Sequence, residues 1–400
     1  MTRDRWLLPE GIEEILPAEA RRLETMRRAV LDLFHRWGYA LVMPPLIEFL
    51  DSLLTGVGRD MDLQTFKVTD QLSGRLMGVR ADITPQAARI DAHYLKRAHA
   101  TRLCYVGSVL RARRDELAGS REPLQLGAEL FGHQGPESDA EVLALMLATL
   151  ALTGIRAPHI DLAHVGVFRA LAARANLTDE RKTELLDAVE RRARSDIESL
   201  LSAWSVGVDH RHLFLGLLDL SGAGDVIARA RALYRAVPDA LLAIDDLEAI
   251  AQRVQRQVPD AVLHYDLAEL GGYQYYTGIM FSAFVSGQGS AIAKGGRYDG
   301  IGRAFGRDRA ATGFSAYLGR LLQVGQAPAN GVRGVLAPAQ SDAALAAEIA
   351  RLRAAGERVV CQLPGDSGGA ADFDCDRVLV KKNDRWQVEP AKGETADKRR

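Results

Sequence analysis

"GSVLRARRDELAGSREPLQLGAELFG", residues 107–132, decides how the chain is read. Its first half carries Arg111, Arg113, Arg114 and Arg121, a local cationic cluster. Its second half alternates in the manner of a strand, which places Gln125, Gly127 and Glu129 on one face. An arginine-rich hairpin by itself is more often solvated surface than a phosphate site. A carboxylate on a face otherwise lined by Leu and Phe is harder to dismiss, because burying it without a cation is costly. An ammonium group on a ligand would supply that cation. "VRADIT" (79–84) adds Asp82 and Thr84, again alternating onto one face.

A third segment, "LAELGGYQYYTGIMF" (267–281), sets Tyr273, Tyr275 and Tyr276 directly after Gly271 and Gly272 and contains no cationic side chain. Aromatic rings with hydroxyl tips, beside backbone that can approach closely, suit a small polar ligand with an apolar body. "AKGGRYDGI" (293–301) is glycine-rich but has neither the GxGxxG nor the P-loop spacing. It reads as a tight turn at a sheet edge. The nine histidines show no ligand spacing, so neither a metal site nor a cofactor is expected.

Around these segments, 400 residues that are 47% hydrophobic and 26% charged are enough for two or three domains. A formal net charge of -1 gives no basic excess that would point to nucleic acid. Cys104, Cys361 and Cys375 have no CxxC spacing and suit a reducing compartment. The polar N-terminus does not read as a signal peptide, and no apolar run reaches the ~18 residues of a membrane span. A cytoplasmic protein without a membrane partner is expected.

Leu23, Met26, Val30, Leu33, Phe34 and Trp37 recur at helical spacing up to Gly38. "YALVMPPLIEFL" reads as a strand broken by Pro44–Pro45, at an edge or an interface. Ser138 and Glu141 have capping-box spacing before "VLALMLATLAL". From about 165 to 257 the texture is charged, amphipathic and helical, read as a solvated insertion. Strand-like sequence then returns, so the fold class is α+β with an antiparallel sheet. After the linker "QAPANG" (326–331), residues 332–390 give a thin β-α-β-β module, and 391–400 a disordered tail.

"GYALVMPPLIEFLDSL", "GVRADIT", the 107–132 segment, "GGYQYYTGIMF", "AKGGRYDGIGRAFG" and "TGFSAYLGRL" occur in the order of the histidyl-tRNA synthetase core. The resemblance covers residues 5–325 and implies a class II synthetase-like sheet flanked by helices. On matched positions it implies a histidine site of Asp82, Thr84, Arg111, Gln125, Glu129, Tyr275 and Tyr276. Carboxylates would face the ammonium; tyrosine hydroxyls and the glutamine would face the ring nitrogens.

The departures fall on the catalytic side. The synthetases carry an arginine before "GLDYY", where this chain has Gly271. Their Arg-x-Glu is here Arg111-Ala112-Arg113. Pro123 and Leu124 replace a phenylalanine and a histidine, and Tyr317 stands where ATP needs a glycine. Removing one cation that stabilises the adenylation transition state costs about 10²–10³ in rate. The C-terminal module is shorter than the synthetases' anticodon-binding domain, and "DSGGAADFDCD" is acidic where RNA would need positive charge.

A synthetase-like chain that keeps histidine and loses ATP and tRNA resembles the regulatory subunits of ATP phosphoribosyltransferase. The resemblance implies no catalysis or aminoacylation of its own and no tRNA partner. It implies self-association as a synthetase-like dimer, and a complex with a short-form ATP phosphoribosyltransferase catalytic subunit. The chain would activate that subunit and mediate feedback by histidine at the first step of histidine biosynthesis. The alternatives are a divergent active histidyl-tRNA synthetase and a stand-alone paralogue adenylating another substrate. Gly271, Arg113 and the short C-terminus weigh against both.

Overall fold

The computed structural model describes residues 6–55, 59–113, 120–325 and 334–391. The chain divides into two compact units between Pro328 and Ala329.

In the first unit the helix Pro17–Arg36 starts with proline at its first turn and buries Leu23, Val30 and Phe34 along one stripe. It stops where the sequence says it should. Gly38 adopts φ +82°, and the Tyr39 amide returns to the Phe34 carbonyl at 3.0 Å, a Schellman closure. The chain then enters a nine-stranded sheet. From edge to edge its strands are Ala40–Leu41, Thr101–Ser108, Leu124–Phe131, Ala311–Tyr317, Ala293–Arg297, Ile279–Phe284, His159–His164, Val262–Asp266 and Ser221–Gly222. Pairing is antiparallel except at Ala40–Leu41 with Thr101–Ser108 and at His159–His164 with Val262–Asp266. This is the α+β, mainly antiparallel arrangement expected of the sequence.

Three local expectations are corrected. The 293–297 strand is not an edge: it lies inside the sheet, bonded on both sides. The capping box at Ser138 does not form. The helix begins three residues earlier, at Pro136, with Gly135 as cap, while Ser138 bonds the His133 and Gly135 carbonyls. Glu141 instead takes Arg102 at 2.7 Å and Tyr39 at 3.0 Å. The helix Pro136–Leu152 is buried on nearly every side, because the sheet, the first helix and the Pro238–Gln257 helix all cover it.

The third correction concerns the helices between Val165 and Gln257. Their charged outer faces match a solvated insertion, but Phe168, Leu185, Ile197, Leu201, Phe214 and Leu247 join the same buried cluster as the sheet. The insertion thus extends the core. At Pro44–Pro45 the bend is fixed by side chains: Arg80 donates to the Pro44 carbonyl at 2.7 Å and Gln86 to that of Pro45 at 2.8 Å. Beyond it, Ile47–Phe49 pairs in a separate three-stranded sheet with Leu76–Val79 and Phe66–Thr69.

The second unit has a four-stranded sheet ordered Val359–Cys361, Gly334–Ala337, Cys375–Lys382, Arg385–Pro390. The helix Ala343–Ala354, capped by Asp342, covers it, and Val335, Leu345, Leu352, Val359 and Leu379 form its own small core. The last strand exceeds the β-α-β-β reading. It is turned by Asn383 and Asp384, both at positive φ, as a tight hairpin requires. The linker 326–331 and residues 392–400 of the tail lie outside the described residues.

Candidate functional site

Gln125 and Glu129 lie on the strand Leu124–Phe131. Asp82 stands in the connection after Leu76–Val79, where strand alternation was expected, and Thr84 opens the helix Thr84–Arg89. Tyr275 and Tyr276 precede the strand Ile279–Phe284. Leu103, Tyr105 and Gly107 stand directly opposite Glu129, Gly127 and Gln125, and Gly313 and Tyr317 oppose Glu129 and Gln125 from the other side. Residues opposite one another share a face, so Gln125 and Glu129 project onto a single surface with Tyr105.

One end of that surface is an amide–carboxylate cluster. Asp82 Oδ1 accepts from the Thr84 amide at 2.8 Å and from Gln125 Nε2 at 3.1 Å. Gln125 Oε1 accepts from the Ile83 amide at 2.9 Å, which fixes the orientation of its amide group. Thr84 Oγ1 lies 2.9 Å from the Tyr105 hydroxyl, and that hydroxyl donates to Glu129 Oε1 at 2.9 Å.

The other end is aromatic. Tyr298 donates to Glu129 Oε2. Its ring stacks on Tyr275, centroids 5.1 Å apart and planes 18° apart, and Tyr275 meets Tyr276 edge-on at 5.1 Å. Tyr275 is 41% exposed and forms the rim, whereas Glu129 is 1% exposed. Burial pushes the Glu129 carboxyl up to about 8, against the two tyrosine hydrogen bonds that favour its charge; the negative charge of Asp82 adds to the rise. The carboxyl is therefore largely protonated at neutral pH, and no cation among the described residues pairs with it.

Space for the carboxylate comes from glycine. A Cβ at Gly313 would sit 1.5 Å from Glu129 Oε2, and one at Gly127 would sit 2.3 Å from the Tyr105 hydroxyl. Either side chain would fill the ground on which the site is laid.

Six of the seven candidate residues (Asp82, Thr84, Gln125, Glu129, Tyr275 and Tyr276) thus form one chain of contacts, linked by Tyr105 and Tyr298. Arg111 stands apart. Its guanidinium lies 5.0 Å from the centre of the Tyr317 ring and donates to that phenol's oxygen. The rest of the arginine cluster also has other duties. Arg121 donates to the Arg111 carbonyl at 3.0 Å and the Glu10 carbonyl at 3.1 Å, and Arg113 is exposed. Arg114 lies outside the described residues.

Sequence reasoning missed Tyr105 and Tyr298. Tyr298 lies one residue past the strand Ala293–Arg297, whose glycine-rich sequence reads as a turn at a sheet edge. Tyr105 depends on the register across the long connection 109–123. A further omission is Arg297, buried beside Tyr298, whose Nη2 lies 2.6 Å from the buried Asp139 Oδ2 and pins the strand to the central helix.

Comparison with known proteins gives the family. Residues 11–321 match the family described as Histidyl-tRNA synthetase, and residues 332–389 match the ATP phosphoribosyltransferase subunit HisZ C-terminal domain. The ATP phosphoribosyltransferase regulatory subunit of Thioalkalivibrio sulfidiphilus is 53% identical, over 96% of this chain and 98% of its own. That of Ectopseudomonas mendocina is 52% identical, over 97% and 99%. The chain belongs to the family of ATP phosphoribosyltransferase regulatory subunits.

Among solved structures, an ATP phosphoribosyltransferase regulatory subunit/histidyl-tRNA synthetase from Bacillus halodurans superposes with a TM-score of 0.81 at 27% identity, covering 93% of this chain and 96% of that one. Histidyl-tRNA synthetase from Nostoc shares the fold, with a TM-score of 0.77 at 19% identity over 94% and 91%. In this regulatory-subunit chain the position of the synthetases' arginine, Gly271, is exposed and lies in a turn, its amide 3.3 Å from Glu269 Oε1. Gly272 follows at φ +95°. Arg320 donates to the Ser290 carbonyl at 3.2 Å.

Proposed function

We propose that the pocket between Asp82 and Tyr276 binds histidine, and that its occupancy signals feedback to a short-form ATP phosphoribosyltransferase catalytic subunit. As a member of its family, the chain serves that transferase in a regulatory and not a catalytic capacity. It activates the catalytic subunit through the assembled complex, self-associates as a dimer, and charges no tRNA.

The single observation that carries this reading is the joined network with an amide–carboxylate end and a phenol-lined end. Histidine has matching halves. Its ammonium fits beside Asp82, Thr84 and Gln125, where carboxylate, hydroxyl and amide oxygens are available. Its imidazole fits between the Tyr275–Tyr276 edge and Glu129. There a largely protonated carboxyl exchanges a proton with a ring nitrogen without leaving a bare charge buried. This divides the two carboxylates, where the resemblance assigned both to the ammonium.

Calorimetry of the purified chain with L-histidine tests the pocket. Saturable binding that imidazolepropionate, which lacks the ammonium, shows only weakly is expected; titration without heat sinks the proposal. Histidine-dependent ATP–pyrophosphate exchange tests the catalytic side and is expected to be absent, since Gly271 supplies no cation. Robust exchange in a preparation free of host synthetase would instead favour an active ligase.

A further inference from the structure

The pairing of His159–His164 with Val262–Asp266 brings together three groups that are far apart in the sequence. Asp161 stands opposite His264, and His159 lies two residues before Asp161 on the same face. His159 Nε2 is 2.8 Å and His264 Nδ1 3.0 Å from one and the same oxygen, Asp161 Oδ1. The two imidazole rings face one another at 4.8 Å between centroids, tilted by 46°.

These close approaches are not hydrogen bonds. Asp161 Oδ1 and His264 Nδ1 are both buried atoms without a hydrogen-bond partner among the described residues. Two nitrogens and an oxygen converge within 4.8 Å, yet no N–H points at the shared oxygen. Buried polar atoms left unsatisfied are costly, so a group that accepts their lone pairs would relieve the arrangement. Ligand atoms around a tetrahedral Zn²⁺, with bonds of about 2.0–2.1 Å, stand roughly 3.3 Å apart. The two nitrogen–oxygen distances reach that with a few tenths of an ångström of widening. The two nitrogens, which set the 4.8 Å span, must draw together, a movement open to the exposed His159 ring.

We propose that His159, Asp161 and His264 form a binding site for a divalent transition-metal cation of the Zn²⁺ class. Two imidazoles and one carboxylate select such an ion over Mg²⁺ or Ca²⁺, which take oxygen ligands. The exposed edge of His159 leaves a position for water. The location gives the site a structural role. One of its strands leads directly into the helix Val165–Arg174, and the other follows directly after the helix Pro238–Gln257. A cation shared between them staples the base of the helical insertion to the sheet.

The test is Zn²⁺ uptake by the chelator-treated full chain in equilibrium dialysis, with Co²⁺ as a spectroscopic stand-in. One Zn²⁺ per chain is expected, with a Co²⁺ visible spectrum of four- or five-coordinate intensity and a raised thermal midpoint. His159→Ala alters an exposed side chain and His264→Gln keeps ring-sized bulk. Each should weaken Zn²⁺ binding by about tenfold or more. Circular dichroism checks that the variants are folded. If a variant unfolds, the histidine ring resonances of the wild-type chain decide, since Zn²⁺ must perturb His159 and His264. No uptake by the wild type, uptake undiminished in the folded variants, or unperturbed resonances overturns the site and leaves a strained histidine–aspartate pair.

Discussion

Gly313 stands directly across the strand pair from Glu129, and a methyl group at 313 would fall 1.5 Å from Glu129 Oε2. The carboxylate and the methyl group need the same space. Gly313→Ala should therefore expel Glu129 from its tyrosine partners and lower stability by about 1–3 kcal/mol, as overpacking does. Denaturant unfolding and histidine calorimetry would read both effects. A variant with wild-type stability and affinity would mean that the carboxylate does not occupy this position.

Glu129→Gln should weaken histidine binding by about 1.5–3 kcal/mol, the worth of a hydrogen bond involving a charged group. If the imidazole faces Glu129, the proton passes from carboxyl to ring and stays in the pocket. Calorimetry at pH 7 in buffers of different ionisation enthalpy should then show well under one proton released. Release of a full proton would place the ammonium at Glu129 instead.

The same carboxyl makes stability pH-dependent. Its value in the fold, about 8, exceeds the ordinary 4.5, so between the two the native state binds more protons than the unfolded state. Stability should fall as pH rises through that window, and Glu129→Gln should flatten the slope. Urea unfolding at pH 5, 6, 7 and 8 measures it. Identical slopes in wild type and variant would contradict the assignment.

Tyr276→Ala removes an aromatic wall and a hydroxyl from the pocket without adding charge. In the reconstituted complex, transferase activity without histidine should stay near that of the wild type, and the inhibition curve should move to higher histidine. Inhibition requires the ligand to favour a different state of the complex, whereas activation requires only assembly. Gel filtration first establishes that the variant assembles. An unchanged inhibition curve in an assembled variant would place the inhibitory site elsewhere.

Asp139→Asn removes the buried counter-charge of the Arg297 guanidinium and leaves it only the more exposed Asp299, a change that costs up to about 3–5 kcal/mol. Thermal unfolding should show a large loss. Because Tyr298 is the next residue, histidine binding should weaken as well. A loss below about 1 kcal/mol would mean that the other acceptors around Arg297, Asp299 and the His133 carbonyl, suffice to hold it.

Local alternation carried part of this site into the sequence: Gln125 and Glu129 declare their shared face by spacing alone, and the tyrosine pair shows by its density. Asp82 and Thr84 do come together, but not as neighbours on a strand face as expected. The strand ends at Val79 and Thr84 opens the helix Thr84–Arg89, so their contact is a local turn. What alternation cannot supply is register between strands separated by long connections. Tyr105 meets Glu129 across the 109–123 connection, and Tyr298 meets it from the far side of the helical insertion. The Ser138–Glu141 spacing misled for a related reason: two long-range partners, Arg297 and Arg102, claim those side chains before a local cap can form. The Asn383–Asp384 turn escaped because the strongest hairpin signal has glycine in its second position.

The contact between Arg111 and Tyr317 has a consequence for attempts to engineer synthetase chemistry into this chain. Placing a cation at 271 alone leaves Arg111 held by the Tyr317 phenol. At least two substitutions, one at 271 and one at Tyr317, would have to be made together before the arginine could turn to a nucleotide.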